Sequence, residues 1–340
     1  MKNLLHVLVG VFILLTQHTA LAQTLHNGKN VDRTAMSYYD GLQTFRALEY
    51  TVSADPQSTK IYRLETMPEN GFPAVVLRGL SQGSIHTFED KSPYSNVFTD
   101  NATPYSSEEA VQAMSGFQRV MLAYSQRFGW KGIDGVGLAP INVKLENSDE
   151  TAPNVPIYTA YLKGKDFEVF NFGRSISNSA PFMNVIEAIA HEYAHAVLRY
   201  RTGIGANTPE TCSEFRAVNE GIADVFGIYI KNQIKKNSPQ NFDWIFADQN
   251  PSQTRDVSNP KSYGSPDTYN GEHYINICTT DYDPHPGAGI LQRWFYLLVA
   301  GFPGPALNDL NYSYNGIAAI GPEKAIQILW EAIPHVKLIV

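Results

Sequence analysis

Two histidines four residues apart, with a glutamate beside the first, stand in the stretch AIAHEYAHAVLRY (188–200) as His191, Glu192 and His195. Positions i and i+4 of a helix share one face, one turn above the other. His191 and His195 therefore point the same way, with Glu192 at the edge of that face. Two such imidazoles can hold a divalent metal while the glutamate stays free to act as a base. His-Glu-x-x-His also arises by chance, so its surroundings decide. Here Ile186, Ile189, Ala190 and Ala194 are apolar. On a helix buried between such neighbours, two histidines and a glutamate without a metal are costly polar groups.

Catalytic zinc takes three protein ligands and keeps one position open. A third histidine following His-x-x-Gly is one source, but those positions hold Leu198 and Arg201, which excludes it. A glutamate from a second helix is the other. VNEGIADVFG (218–227) offers Glu220 and Asp224 on one helical face, among apolar Ile222, Val225 and Phe226. Glu220 reads as the third ligand. Asp224 reads as acceptor of the free ring N–H of a ligand histidine, with His191 the first candidate; such a bond fixes the tautomer and raises ligand basicity. The competing reading is a solvated acidic pair. Glu214 lies nearer to His195 but has no acid four residues after it.

These residues need a scaffold. Between residues 30 and 100, runs such as RALEYTV, KIYRLETM and AVVLRGL alternate with turn residues and read as short antiparallel strands. SSEEAVQAMSGFQRVMLAYSQRFG comes next, with an acidic first turn and with Val111, Met114, Phe117, Val120, Met121 and Tyr124 at helical spacing. INVKLE, IYTAYL and FEVFNFG return to strands; helices are expected at 181–200, 215–235, 286–300 and 322–333. Strands first and helices afterwards give an α+β fold with two lobes, β-rich over 23–180 and mainly helical over 181–340.

The chain has 340 residues, 43% hydrophobic and 17% charged, an ordinary globular composition. Its formal net charge of −7 argues against nucleic acid and anionic membranes as partners. The opening MKNLLHVLVGVFILLTQHTALAQ has Lys2, an apolar run from Leu4 to Leu15, and small residues before Gln23. That pattern predicts a signal peptide over residues 1–22, hence a secreted, extracellular or periplasmic, protein. The apolar run is short for a membrane anchor. Two cysteines, Cys212 and Cys278, invite one disulfide in an oxidising compartment, with two buried thiols as the alternative.

With SNPKSYGSPDTY (258–269) and HPGAGILQRWFYLL (285–298), the two helical motifs resemble the thermolysin-like metalloendopeptidases over most of the chain beyond the signal. The resemblance implies a two-lobed zincin with the active-site helix between its lobes, zinc as cofactor, and a monomer cutting peptide or protein substrates on the amino side of apolar residues. Zinc would be held by His191, His195 and Glu220, with Glu192 moving the proton and His285 donating to the oxyanion. An acid should orient His285; TTDYDPHPG is one residue out of step with the family, so Asp281 is the first choice and Asp283 the reserve. Arg255 matches an arginine that binds a substrate carbonyl. Thr159, Ala160 and Tyr161 match the edge strand that pairs with the peptide, Thr159 standing where the family has asparagine. The family's double calcium site maps to Glu187, Lys231, Asp243 and Asp248. Lys231 replaces a carboxylate there, so its ammonium is expected among those acids, displacing at least one calcium.

The resemblance also has gaps. No long propeptide separates the signal from the catalytic part, the chain ends soon after PEKAIQILWEAI, and the enlarged loop between His195 and Glu220 lacks the family's tyrosine. Two other readings therefore stand beside a zinc endopeptidase. One is a catalytically inactive binding module. The other is a zinc aminopeptidase, although TMPENG (66–71) only imitates the strand that class requires.

Overall fold

Alternation of inward and outward side chains begins at once, in a hairpin. β1 (His26–Ser37) and β2 (Gly41–Thr51) pair antiparallel, with Arg33 opposite Phe45 and Thr34 opposite Thr44. Phe45 and Ala47 enter the core while Leu42 faces out. Gly41 opens the return strand at φ +68°, a left-handed conformation that a Cβ would strain. The structure, a computed structural model, describes residues 26–51, 60–78, 99–100, 108–148, 168–175, 185–203, 213–248, 254–274 and 283–336. Residues 1–22, read from the sequence as a signal peptide, lie outside them.

β3 (Lys60–Arg63), β4 (Val75–Arg78) and β5 (Thr99–Asp100) come next, then α1 (Glu108–Phe128), β6 (Ile141–Ser148) and β7 (Glu168–Ser175). One sheet runs β1-β2-β3-β5 and is antiparallel, as expected. The second, β4-β6-β7, is parallel; β4, expected among antiparallel strands, does meet residues 64–66 antiparallel on its other side, and the sequence reading assigns no direction to β6 and β7. The reason β6 runs parallel to β4 is topological. α1 lies between β4 and β6 and carries the chain back to the end from which β4 started, so the next strand runs the same way. Alternating runs report burial, not the direction of a partner. All six apolar positions picked out on α1 are buried.

The second half is helical: α2 (Ile186–Thr202), α3 (Ser213–Lys235), α4 (Gly289–Ala300) and α5 (Pro322–Ala332), with a 3-10 turn His285–Ala288 leading into α4. Strands first and helices afterwards make the α+β class read from the sequence. α2 and α3 form the central seam. Gly227 lets them approach closely, since a Cβ there would lie 2.8 Å from the backbone oxygen of Glu187. Other elements lock this seam in place. Tyr229 on α3 donates to Glu323 of α5 at 2.5 Å, and Arg127 of α1 stands 3.1 Å from the same carboxylate oxygen. Arg201, at the end of α2, lies 3.6 Å from the Trp330 ring centroid and donates to the Trp330 carbonyl. Among the described residues, no helix is long and apolar enough to cross a membrane.

Candidate active site

The i, i+4 spacing on α2 and the register of α3 beside it bring three groups together. His191 Nε2 stands 3.0 Å from His195 Nε2, and Glu220 Oε2 lies 3.3 Å from the first and 3.4 Å from the second. A metal roughly 2.0–2.1 Å from each of three tetrahedral ligands holds them about 3.3 Å apart. The far nitrogen of each ring faces an acceptor: His191 Nδ1 is 2.8 Å from Asp224 Oδ1, and His195 Nδ1 is 3.3 Å from Asn219 Oδ1. With those nitrogens donating, both Nε2 lone pairs converge on a carboxylate oxygen that is itself buried without a hydrogen bond. Three converging lone pairs repel unless a cation lies among them. The set therefore fits a divalent metal, and two imidazoles with one carboxylate suit zinc.

The same demand for positive charge shows in the ionisation of these groups. Burial opposes a proton on His191, yet the hydrogen bond to Asp224 and the nearby carboxylate of Glu220 overcome it and raise its pKa to about 10. Burial also opposes charge on Glu220, but the neighbouring histidines hold its carboxyl well below the usual range.

Glu192 sits beside the ligands and is 7% exposed. Its Oε2 is buried and has no hydrogen-bond partner among the described residues. Burial pushes this carboxyl up, while the charges of His191 and His195 pull it down and leave a net rise. A carboxylate poised upward, with an oxygen uncommitted to the scaffold, is equipped to accept and return a proton.

Asp224 is fully buried and takes more than the single bond read from the sequence. Its Oδ1 accepts from His191 and, at 2.6 Å, from Arg255 Nη2; its Oδ2 accepts from Gln292 Nε2 at 2.6 Å. Burial resists this charge, but Arg255 and His191 hold the group ionised far below the ordinary range. Arg255 stands on β9 (Arg255–Asp256), which pairs with β8 (Ile245–Phe246), and its guanidinium lies 4.2 Å from the Phe246 ring. One of its nitrogens, expected to meet substrate, is thus engaged by Asp224.

His285, at the start of its 3-10 turn, brings Nε2 to 3.5 Å from Glu220 Oε2 with its side chain 47% exposed. Its Nδ1 lies 2.5 Å from Asp283 Oδ1. The acid beside this ring is thus the reserve choice, Asp283, while Asp281 lies outside the described residues. The local reason is an Asx turn: Asp283 Oδ1 also accepts the His285 N–H at 3.1 Å, which folds the side chain onto the ring two residues on. Burial opposes the imidazolium, but Asp283 and Glu220 raise the His285 pKa.

Glu214 stays away from the ligands and accepts the hydroxyls of Tyr269 and Tyr274, each at 2.8 Å. Thr159, Ala160, Tyr161, Cys212 and Cys278 lie outside the described residues. Lys231 is fully buried; its Nζ is 2.7 Å from Asp243 Oδ2 and 3.2 Å from Glu187 Oε1, and it donates to the Ile245 carbonyl at 2.6 Å. Asp248 does not join it. That residue is exposed on the turn after β8, and no ion pair links it to Lys231 among the described residues. The nest expected from three acids is two acids and a carbonyl, because the chain turns outward past Ala247. Sequence reasoning missed Asn219 and Gln292. Asn219 adjoins a ligand, but its role depends on how α2 and α3 are set side by side, which no periodicity within one helix reveals.

Two family models cover the chain: the thermolysin metallopeptidase catalytic domain over residues 30–199 and its alpha-helical domain over 213–337. Similar proteins include a bacillolysin of Bacillus caldolyticus and a thermolysin of Alicyclobacillus acidocaldarius subsp. acidocaldarius. Each is 28% identical over 164 residues, 46% of this chain and 26% of its own length. The matched stretch is thus about a quarter of either relative. Among solved structures, the precursor of protealysin, a metalloproteinase from Serratia proteamaculans, aligns with TM-score 0.45 and 16% identity over 71% of this chain and 70% of its own. One family model matches half of the chain and the second most of what remains, and the chain belongs to the thermolysin metallopeptidase family.

Proposed function

We propose that this chain is a secreted zinc endopeptidase that hydrolyses internal peptide bonds on the amino side of apolar residues. The observation that carries the reading is the pairing of three converging ligand atoms with an adjacent buried carboxylate, Glu192, whose Oε2 no scaffold group occupies. Zinc, when bound, supplies Lewis-acid polarisation of a water and of the scissile carbonyl. Glu192 takes a proton from the water as its oxygen adds to the carbonyl carbon. It returns that proton to the amide nitrogen as the C–N bond breaks, leaving an amine and a carboxylic acid that keeps the water's second proton until it ionises. His285 donates from Nε2 to the developing oxyanion, and Asp283 fixes its tautomer from Nδ1. A well-aimed donor of this kind contributes about 2–4 kcal/mol.

Export through residues 1–22, a monomeric state, a Cys212–Cys278 bridge, and substrate pairing through Thr159, Ala160 and Tyr161 with help from Arg255 belong to the same proposal. The test is zinc content by elemental analysis together with cleavage of an internally quenched peptide. Glu192→Gln is expected to keep the metal and lose activity by orders of magnitude, since the base is removed and the ligands are not. Cleavage by that variant at near the parental rate would overturn the mechanism. Zinc binding without cleavage by the parent chain would favour an inactive binding module, and removal of single N-terminal residues an aminopeptidase.

A further inference from the structure

Asp224 is held by donors on both oxygens, and they differ in kind. His191 and Arg255 meet at Oδ1; among the described residues the amide of Gln292 alone hydrogen-bonds Oδ2, at 2.6 Å. A carboxylate held at one oxygen can still turn about its Cβ–Cγ bond. A donor on the second oxygen removes that freedom and fixes the plane in which the His191 Nδ1–H must lie. The amide does so without charge. A lysine or arginine there would add a second cation to the one Arg255 already brings and draw further on the negative charge that makes His191 a strong ligand.

The packing is built for this reach. Gly221, three residues before Asp224 and on the same face of α3, sits where α4 crosses; a Cβ there would lie 2.9 Å from Leu291 Cβ and 3.2 Å from the Ala288 carbonyl oxygen. The glycine lets α4 come close enough for Gln292, 1% exposed, to reach the carboxylate. We infer that Gln292 is a positioning residue of the metal centre: through Asp224 it sets the orientation of the His191 ring. This role rests on zinc being the ion that the three ligands hold.

Gln292→Met keeps the length of the side chain and removes the donor. The zinc dissociation constant, measured by competition with a chromophoric chelator, should rise roughly tenfold, the lower end of what losing a bond outside the ligand shell does. The cobalt(II)-substituted variant should show shifted d–d absorption, because the ligand field reports ring orientation. Gln292→Glu, of nearly the same shape, sets an acceptor against an acceptor and should weaken zinc further, giving a second reading should the Met variant fold poorly. A Gln292→Met variant of reduced stability whose zinc affinity and cobalt spectrum match the parent would make Gln292 a packing contact only and overturn the inference. A parent chain that takes up no zinc would overturn the zinc reading and this inference with it; equal zinc binding by parent and variants would overturn the inference alone.

Discussion

The seam between α2 and α3 carries two buried charge clusters of opposite design. At one end, His191, His195 and Glu220 turn lone pairs toward a common point and bring no fixed cation. At the other, Lys231 brings its own ammonium to Glu187, Asp243 and the Ile245 carbonyl. Eleven residues of α3 separate Glu220 from Lys231, roughly 16 Å along the axis. Both ends solve one problem: a carboxylate between two helices needs positive charge nearby. The first is arranged to take that charge from solution as an exchangeable ion, while the second fixes it covalently. One seam can thus be responsive at the catalytic end and fixed at the other.

The largest effect should come from removing the covalent cation. Lys231→Met leaves Glu187, 1% exposed, without its counter-charge. Breaking a buried pair from one side costs about 3–5 kcal/mol, whereas replacing both partners by apolar groups restores most of it. Chemical denaturation should show that loss for Lys231→Met and a substantial recovery for Lys231→Met combined with Glu187→Leu. A loss under about 1 kcal/mol for the single variant would mean that the ammonium is not the compensation described.

At the metal end the two histidines differ in their outer partners, and that difference can be measured. His191 meets a carboxylate at 2.8 Å and His195 a neutral amide oxygen at 3.3 Å. Hydrogen bonds to a charged acceptor are shorter and roughly twice as strong. Asp224→Asn should therefore weaken zinc about 10–100-fold, and Asn219→Ala by less. Chelator competition on both variants checks the order; equal losses would show that ring orientation depends on neither acceptor in particular.

The centre of the site was legible in the sequence, and the reasons are local. His191 and His195 share a face because four residues make a turn, and Glu220 and Asp224 repeat that spacing on α3. What required structure was anything fixed between elements. Asn219 and Gln292 join the site only because α3 is set against α2 and α4. The parallel pairing of β6 with β4 reflects the connection that contains α1 rather than the strands' own composition. Asp283 meets the His285 ring through a two-residue turn whose closure the composition of TTDYDPHPG does not reveal.

The smallest effect belongs to calcium, and it tests whether the covalent cation excludes a soluble one. We propose that Lys231 takes the place of at least one calcium. Calcium takes six to eight oxygen ligands and gains affinity from their charge. Around Lys231 the available oxygens are those of Glu187 and Asp243 and the Ile245 carbonyl, with an ammonium already among them. Burial opposes that ammonium's charge, but Glu187 and Asp243 raise its pKa, so it stays charged through the neutral range. Millimolar calcium should leave the parental melting temperature nearly unmoved. Lys231→Glu changes the local charge by two units toward cation binding. A site then filled at tenfold excess over its dissociation constant contributes about 1.4 kcal/mol, a few degrees in Tm at this chain length. Scanning calorimetry of both proteins with and without calcium decides the matter. A strong rise in the parent would show that calcium binds despite Lys231. A variant no more calcium-dependent than the parent would show that the remaining acids cannot form a site even when the ammonium is gone.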